Sequence, residues 1–186
     1  MLNKMLFAIL FVVGTTGASS AQQVQNGRPS PAEKVQCTLP GGKTITVNYS
    51  SPRMKGRKIF GGLVPFGKVW RTGANEATTF VTDEKLVSAA GTNIPAGSYT
   101  IFTVPDSHNW TLIINKHTGE WGIPYKYESE ELARVPMSVT ALPSPLENFT
   151  ISFNRTTAGC AMHISWENTD ASVEFTVRNT DVPNIR

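Results

Sequence analysis

The sequence predicts a single all-β domain, an antiparallel β-sandwich or jelly-roll-like fold of about eight strands with minimal helix. Short segments rich in β-branched and aromatic residues alternate with turns rich in Gly and Pro. No long helical pattern separates these segments, which disfavours a parallel α/β sheet. We expect strands over residues 43–50, 77–82, 98–104, 109–115, 134–142, 148–153, 161–166 and 172–177.

Three segments justify this assignment. "KTITVNYS" (43–50) places Ile45, Val47 and Tyr49 on one face and polar residues on the other, the period of a half-buried strand. Segment 98–104 is apolar on both faces, which is typical of a central strand in a closed or two-sheet structure. The only helix-like window is "ESEELAR" (128–134), which is long enough for two turns at most.

The first residues resemble a secretory leader. A positive Lys4 precedes an apolar run, and Ser19 and Ala21 are small residues at the places that a signal peptidase reads before Gln22. The apolar run is shorter than the roughly 20 residues that span a bilayer. We therefore expect residues 1–21 to be a signal peptide, 22–34 a flexible lead-in and 35–186 the β-sandwich domain. We expect an exported protein, periplasmic or extracellular, with no membrane span.

Two cysteines, Cys37 and Cys160, lie near the two ends of the expected mature chain. In an oxidising compartment two such thiols are commonly paired, and we expect a disulfide. The alternative is two separately buried thiols.

Charge and histidine patterns exclude several classes of function. The formal net charge is +3, and the charges are intermixed, so the sequence does not predict a nucleic-acid partner. The basic stretch "RMKGRK" (53–58) is interpreted as solvated surface. His108, His117 and His163 are scattered without metal-ligand spacing, and we expect neither a metal site nor a cofactor.

The stretch 61–78, "GGLVPFGKVWRTGANEAT", contains the spacing of a phosphate-binding loop, from Gly62 to Gly67 and Lys68. Val69 stands where such a loop needs Ser or Thr, and the following residues predict a strand rather than a helix. Pro65 also removes one amide from the loop. We therefore exclude nucleotide binding.

Three stretches carry a resemblance to a known family: "GRKIFGGLVPFGKVWRTGANEATTF", "IPAGSYTIFTVP" and "NWTLIINKHTGEWG". With them the chain resembles the bacterial exported domain-of-unknown-function family 2911, from about Val35 to Val177. The resemblance implies an exported, β-rich bacterial protein. It implies no activity and no catalytic residues.

The polar group in "WRTGANEAT" (70–78) has two interpretations. In the first, Arg71 and Glu76 form a bidentate ion-pair clasp that fixes the preceding long loop on the sandwich. In the second, Arg71 and Asn75 face a cleft and hold an anionic or hydroxyl-bearing ligand, with Trp70 as a stacking wall. The two interpretations stay open at the level of sequence.

Aromatic residues provide a second indication of binding. Trp121 and Tyr125 lie in a loop flanked by Gly and Pro and could stack on a sugar ring. Trp110 and Trp166 continue the period of their strands, so we expect them in the core.

Three functions follow as hypotheses. The first is a non-catalytic binding or interaction module for a carbohydrate, a peptide or a small polar ligand, with Arg71, Asn75, Glu76, Trp70, Trp121 and Tyr125 as candidate site residues. The second is a carboxylate-dependent hydrolase that uses Glu76 with Glu120, which requires carboxyl groups roughly 5 to 9 Å apart. The third is a purely structural envelope protein that acts through surface contacts. The sequence predicts no oligomeric state.

Overall fold

The computed structural model describes residues 28–177, which form one open antiparallel sheet of nine strands. The strands are β1 Ala32–Thr38, β2 Thr44–Ser50, β3 Thr79–Thr82, β4 Leu86–Ser88, β5 Asn93–Ile94, β6 Gly97–Val104, β7 Trp110–Asn115, β8 Glu131–Arg155 and β9 Gly159–Val177. Their order in the sheet is β1-β2-β3-β6-β7-β8-β9-β4-β5, and one 3-10 turn, Glu128–Glu130, precedes β8. The all-β prediction is confirmed.

The sheet folds over itself in a sandwich-like arrangement. A disulfide joins Cys37 of β1 to Cys160 of β9, with Cα atoms 6.5 Å apart, although these strands are far apart in the sheet order. The predicted pairing of the two cysteines is therefore present. Between these strands lies a continuous core that includes Ile45, Val47 and Phe175, all fully buried.

An aromatic cluster occupies one end of the core. Trp166 stacks on Trp70 with ring centroids 6.1 Å apart, while Phe60, Trp110 and Phe149 meet them edge to face. The indole N–H groups of the three tryptophans all donate to backbone carbonyls. A tryptophan ring is stable in a protein core when its indole N–H group has a hydrogen-bond partner there. The core placement expected for Trp110 and Trp166 is confirmed.

A smaller cluster covers the opposite face of the central strands. Phe102 of β6 and Ile113 of β7 are fully buried there and pack with Ala77. The ring of Tyr125 meets Phe102 edge to face, with centroids 4.7 Å apart. Both faces of β6 are therefore covered, which explains why segment 98–104 is apolar on both sides.

The structure corrects several predicted boundaries. The eight predicted segments become six strands, because 134–142 with 148–153, and 161–166 with 172–177, are continuous within β8 and β9. The strands β1, β4 and β5 were not predicted. Strand β1 begins at Ala32, inside the segment that we expected to be a flexible lead-in. The helix-like window contributes only a single 3-10 turn before β8.

The predicted signal peptide, residues 1–21, lies outside the described residues. Within residues 28–177, no helix has the length and apolar character needed to cross a bilayer.

Candidate ligand-binding cleft

A cleft of about 540 Å³ lies between the long β2–β3 connection and the loop that follows β7. Its floor includes the buried residues Trp70 and Trp166, and its mouth includes the exposed side chains of Leu63 and Ile123. Arg71, Ala74 and Asn75 of the 70–78 stretch line one side. The polar stretch that the sequence singled out therefore contributes to the lining of this cleft.

The 70–78 stretch leaves the sheet in an irregular turn. Trp70 exchanges two backbone hydrogen bonds with Thr103 of β6, and the chain then takes positive φ at Thr72, Gly73 and Asn75. A side chain at Gly73 would meet the Ser50 carbonyl at 3.0 Å, so this close approach requires glycine. The turn projects Arg71 toward the cleft and directs the following residues into β3.

Arg71 is held in the cleft by neutral groups. Its Nη1 donates to the carbonyls of Asn75 and Trp121, and its guanidinium carbon lies 5.6 Å from the centroid of the Trp121 ring. No acceptor within residues 28–177 binds its Nε or Nη2. Burial lowers the pKa of the Arg71 guanidinium, a sign that the charge is partly desolvated. An anion would find unused donors and a poorly hydrated positive charge here.

The Trp121 loop is fitted closely to Arg71. Gly122 has φ +94°, and a side chain there would meet the Ala77 Cβ at 2.9 Å and the Arg71 Cβ at 3.1 Å. The amide of Ala77 donates to the carbonyl of Glu120 at 3.1 Å, which fastens the loop on its other side. The side chain of Trp121 is left 57% exposed beside the cleft.

The charged residues that line the cleft all have the same sign. Among residues 28–177, the lining contains five cations and no carboxylate: Arg53, Lys55, Arg57, Lys68 and Arg71. None of the five forms an ion pair with a described residue. A concave surface with one sign of charge concentrates counter-ions. We call this the cationic cleft.

Two carboxylates fix the loop that carries most of these cations, but they bind its backbone. Glu167 of β9 accepts hydrogen bonds from the amides of Ile59 and Phe60 at 3.2 and 3.1 Å. Glu147 accepts from the amide of Lys55 at 2.9 Å. These contacts hold the cationic loop in place without neutralising its side chains at the cleft.

The Arg71–Glu76 clasp, the first of the two interpretations, is not present in the structure. Glu76 instead receives two hydrogen bonds from Arg28, at 2.7 and 2.9 Å, and this ion pair is exposed. The hydrogen bond from Arg28 lowers the pKa of Glu76. The positive φ angles of the turn separate the two side chains, so a sequence spacing that suits a clasp does not produce one. Glu76 does not line the cationic cleft.

Trp70 lines the cleft but is not the predicted stacking wall. Its side chain is only 9% exposed, because the faces and edges of its ring are covered by Trp166, Phe149 and Phe60. A ligand can contact the edge of this ring, but a sugar cannot stack on its face. Asn75 lines the cleft as expected, with its side-chain amide donating to the Ser30 carbonyl at 3.0 Å.

Tyr125 is a structural residue of the loop. Its hydroxyl donates to Glu131 at 2.7 Å and accepts from Asn115 at 3.1 Å. Burial, followed by the hydrogen bond to Glu131, strongly raises the pKa of this phenol. Arg134 binds the same Glu131 carboxylate through two hydrogen bonds. Tyr125 therefore fixes the start of β8, and it does not line the cleft.

Glu120 has an unusual environment. Burial raises the pKa of its carboxyl, and its Oε1 is buried without a hydrogen-bond partner among the described residues. It does not line the cationic cleft. The pKa of the Glu120 carboxyl is therefore raised, whereas the pKa of Glu76, the second carboxylate of the predicted hydrolase, is lowered.

The histidines form no metal cluster within residues 28–177. His163 contacts Asp170 at 2.8 Å, and Ser165 donates to the same carboxylate. Since Ser165 binds the acid and not the imidazole, the arrangement lacks the nucleophile–base contact of a catalytic triad.

Sequence reasoning missed the contribution of residues 53–68 to the cleft. Residues 51–75 contain six Lys or Arg and no Asp or Glu, although the chain has 14 acidic residues. That local absence of acids was the available signal, and we interpreted the basic stretch within it as solvated surface.

A family model described as "Protein of unknown function (DUF2911)" matches residues 30–175. No curated protein and no solved structure matches the chain.

Proposed function

The chain belongs to the DUF2911 family of unknown function, and we propose that it is an exported binding protein whose cationic cleft takes a small anionic ligand. The ligand class is a carboxylate- or phosphate-bearing molecule, such as an acidic sugar, a peptide terminus or a small polar acid. The observation that carries this proposal is the set of five cleft cations, unaccompanied by any carboxylate on the lining formed by residues 28–177.

Arg71 is the proposed anchor of the anion. Its position is fixed by two carbonyls and by the loop that Gly122 allows to pack on it. Its remaining donors have no acceptor among the described residues, and a guanidinium fork matches a carboxylate or phosphate bidentately. Since burial lowers the pKa of Arg71, an arriving anion would offset a charge that the fold keeps partly desolvated.

Export is part of the proposal. The leader pattern in residues 1–21 supports it, as does the disulfide between Cys37 and Cys160, a bond typical of oxidising compartments. The periplasm or the extracellular space is therefore the proposed location.

The proposal is tested by thermal unfolding with matched pairs of anionic and neutral ligands. We expect glucose 6-phosphate or octanoate to raise the unfolding midpoint, while glucose and octanol do not. A ligand at 100 times its Kd adds about 2.7 kcal/mol, which raises the midpoint of a domain of this size by roughly 5 °C or more.

Arg71→Met should abolish the shift, whereas Lys85→Met, at an exposed lysine outside the cleft, should retain it. Equal shifts from the neutral ligands, or a full shift in the Arg71 variant, would contradict the proposal.

The hydrolase remains the second candidate, and one observation favours it. The environments of Glu76 and Glu120 move their pKa values in opposite directions, as acid and base roles require. Glu120→Gln should then abolish hydrolysis of a glycoside substrate while leaving the response to octanoate intact. Absence of glycoside hydrolysis by the wild-type protein removes this candidate.

A further inference from the structure

We infer that the mouth of the cationic cleft is a docking surface for an anionic lipid bilayer, with a lipid headgroup as the anion in the cleft. The inference rests on the proposed function, since it names the source of the anion. It is carried by the position of the exposed apolar side chains, which is an observation independent of Arg71.

Four large apolar side chains are exposed among residues 28–177; two of them line this cleft, and the other two adjoin residues that line it. Leu63 is 48% exposed, Phe66 42%, Trp121 57% and Ile123 38%. Leu63 and Ile123 line the mouth, Phe66 follows the lining residue Pro65, and Trp121 lies against Arg71. We call these four residues the apolar rim. Single exposed apolar residues are common on protein surfaces, but their confinement to one site indicates a binding surface.

The apolar rim is held outward by the fold. The turn that carries Leu63 is closed by backbone hydrogen bonds from Leu63 to Lys58 and from Gly61 to Val64. The Trp121 loop is fixed by the close packing of Gly122 and by the hydrogen bond to Arg71. The β2–β3 connection buries Phe60 and Val64 in the core, whereas Leu63 and Phe66 of the same connection stay exposed.

The cations beside the apolar rim indicate which kind of apolar partner would dock there. The same loops present Lys55, Arg57, Lys68 and Arg71, and among the described residues no acid lines the cleft between them. Cations combined with protruding apolar side chains match a surface that has acidic headgroups outside and acyl chains beneath. Trp121 lies beside the cation of Arg71, and tryptophan rings are enriched at the headgroup level of membranes.

Trp121 provides a direct readout of docking. It is the exposed tryptophan of the chain, since Trp70, Trp110 and Trp166 are buried. On docking, we expect its emission to shift to shorter wavelength and to be quenched by brominated acyl chains. Trp121→Phe should remove that signal while retaining most of the binding.

The experiment is a flotation assay with the exported, disulfide-bonded protein and vesicles of phosphatidylcholine, with or without roughly 30% phosphatidylglycerol. We expect binding to the anionic vesicles to be at least about tenfold tighter, and to weaken as salt rises from about 0.1 to 0.5 M. Leu63→Asp and Phe66→Asp should each weaken it about tenfold, because both side chains are exposed and the variants keep the core intact.

A charge-matched pair of variants locates the interaction. Lys55→Glu with Lys68→Glu should abolish vesicle binding, whereas Lys43→Glu with Lys85→Glu, the same change of charge at exposed lysines outside the cleft, should not. Equal losses from the two pairs would mean general charge attraction and would overturn the inference.

Two other results would also overturn it: wild-type protein that ignores anionic vesicles, or unquenched Trp121 in protein that binds them. In that case the shifts of the unfolding midpoint with octanoate and glucose 6-phosphate still test the proposed function, because binding of those ligands needs no bilayer.

Discussion

The four tryptophans of this chain divide into two neighbouring regions. In the aromatic core, Trp70, Trp110 and Trp166 are buried, contact other rings and donate their N–H groups to backbone carbonyls. At the apolar rim, Trp121 is exposed and packs beside the cation of Arg71. The same residue type thus occupies two different environments. Burial and satisfied hydrogen bonds show that the first region contributes to stability, while exposure beside the cation of Arg71 supports the proposed binding role of the second.

The largest expected effect comes from breaking the core. Trp166→Ala should destabilise the protein by about 3–5 kcal/mol, because it removes a buried ring that contacts Trp70, Phe60 and Phe149. Trp121→Ala should change stability by no more than about 0.5 kcal/mol, since its side chain is mostly in solvent. Urea unfolding of both variants measures the difference. Comparable losses of unfolding free energy in the two variants would show that Trp121 of the apolar rim contributes to the stability of the fold.

A smaller effect should follow from removing the disulfide. Cys37 and Cys160 are separated by 123 residues, and loss of such a cross-link typically costs about 2–4 kcal/mol. Neither cysteine lines the cleft, so the folded double variant Cys37→Ala/Cys160→Ala should bind octanoate with unchanged affinity. Calorimetric titration below the unfolding midpoint checks this. Weaker octanoate binding by the double variant would mean that a change in the core also alters the binding region.

The smallest effect concerns Glu131, which binds Tyr125 of the loop that carries Trp121. Hydrogen bonds from Arg134 lower the pKa of Glu131 in the folded protein below its ordinary value of 4.5. The resulting stability is therefore present above that value and is lost as the pH falls through the folded pKa. Glu131→Gln should cost about 1 kcal/mol at pH 7 and almost nothing below the folded pKa.

Unfolding of the Glu131 variant across pH 2–7 is compared with that of Glu128→Gln, an exposed acid in the neighbouring turn. A difference between wild type and Glu131→Gln that does not shrink in acid would refute the assignment of this stability to the Glu131–Arg134 pair.

The sequence predicts the central strands well because their period is clear. Ile45, Val47 and the two-faced segment of β6 carry strong signals, and these strands are found. Strand β1 was missed because it is an edge strand that pairs only with β2, and Cys37 is its one fully buried residue. In β8, the Pro-containing stretch 143–145 interrupts the apolar pattern, yet the chain stays extended through shifts in register.

The candidate site was only partly predictable for a different reason. Arg71 and Asn75 were identified from one local motif, and both line the cleft. The side-chain direction of Glu76 depends on the φ angles of the turn and on Arg28, 48 residues away. The meeting of Arg53, Lys68 and Ile123 at one cleft depends likewise on tertiary packing. Local spacing does not determine such long-range contacts.

We propose that Arg71 binds an anion through donors that the fold leaves unused. The most direct measurement is the Nε–Hε signal of this side chain by NMR during titration with octanoate. Arg134 is the internal control, because its Nε is already bonded to Glu131 at 2.8 Å. We expect the Arg71 signal to move saturably while the Arg134 signal stays in place. An unmoved Arg71 signal at octanoate concentrations that stabilise the protein would contradict it.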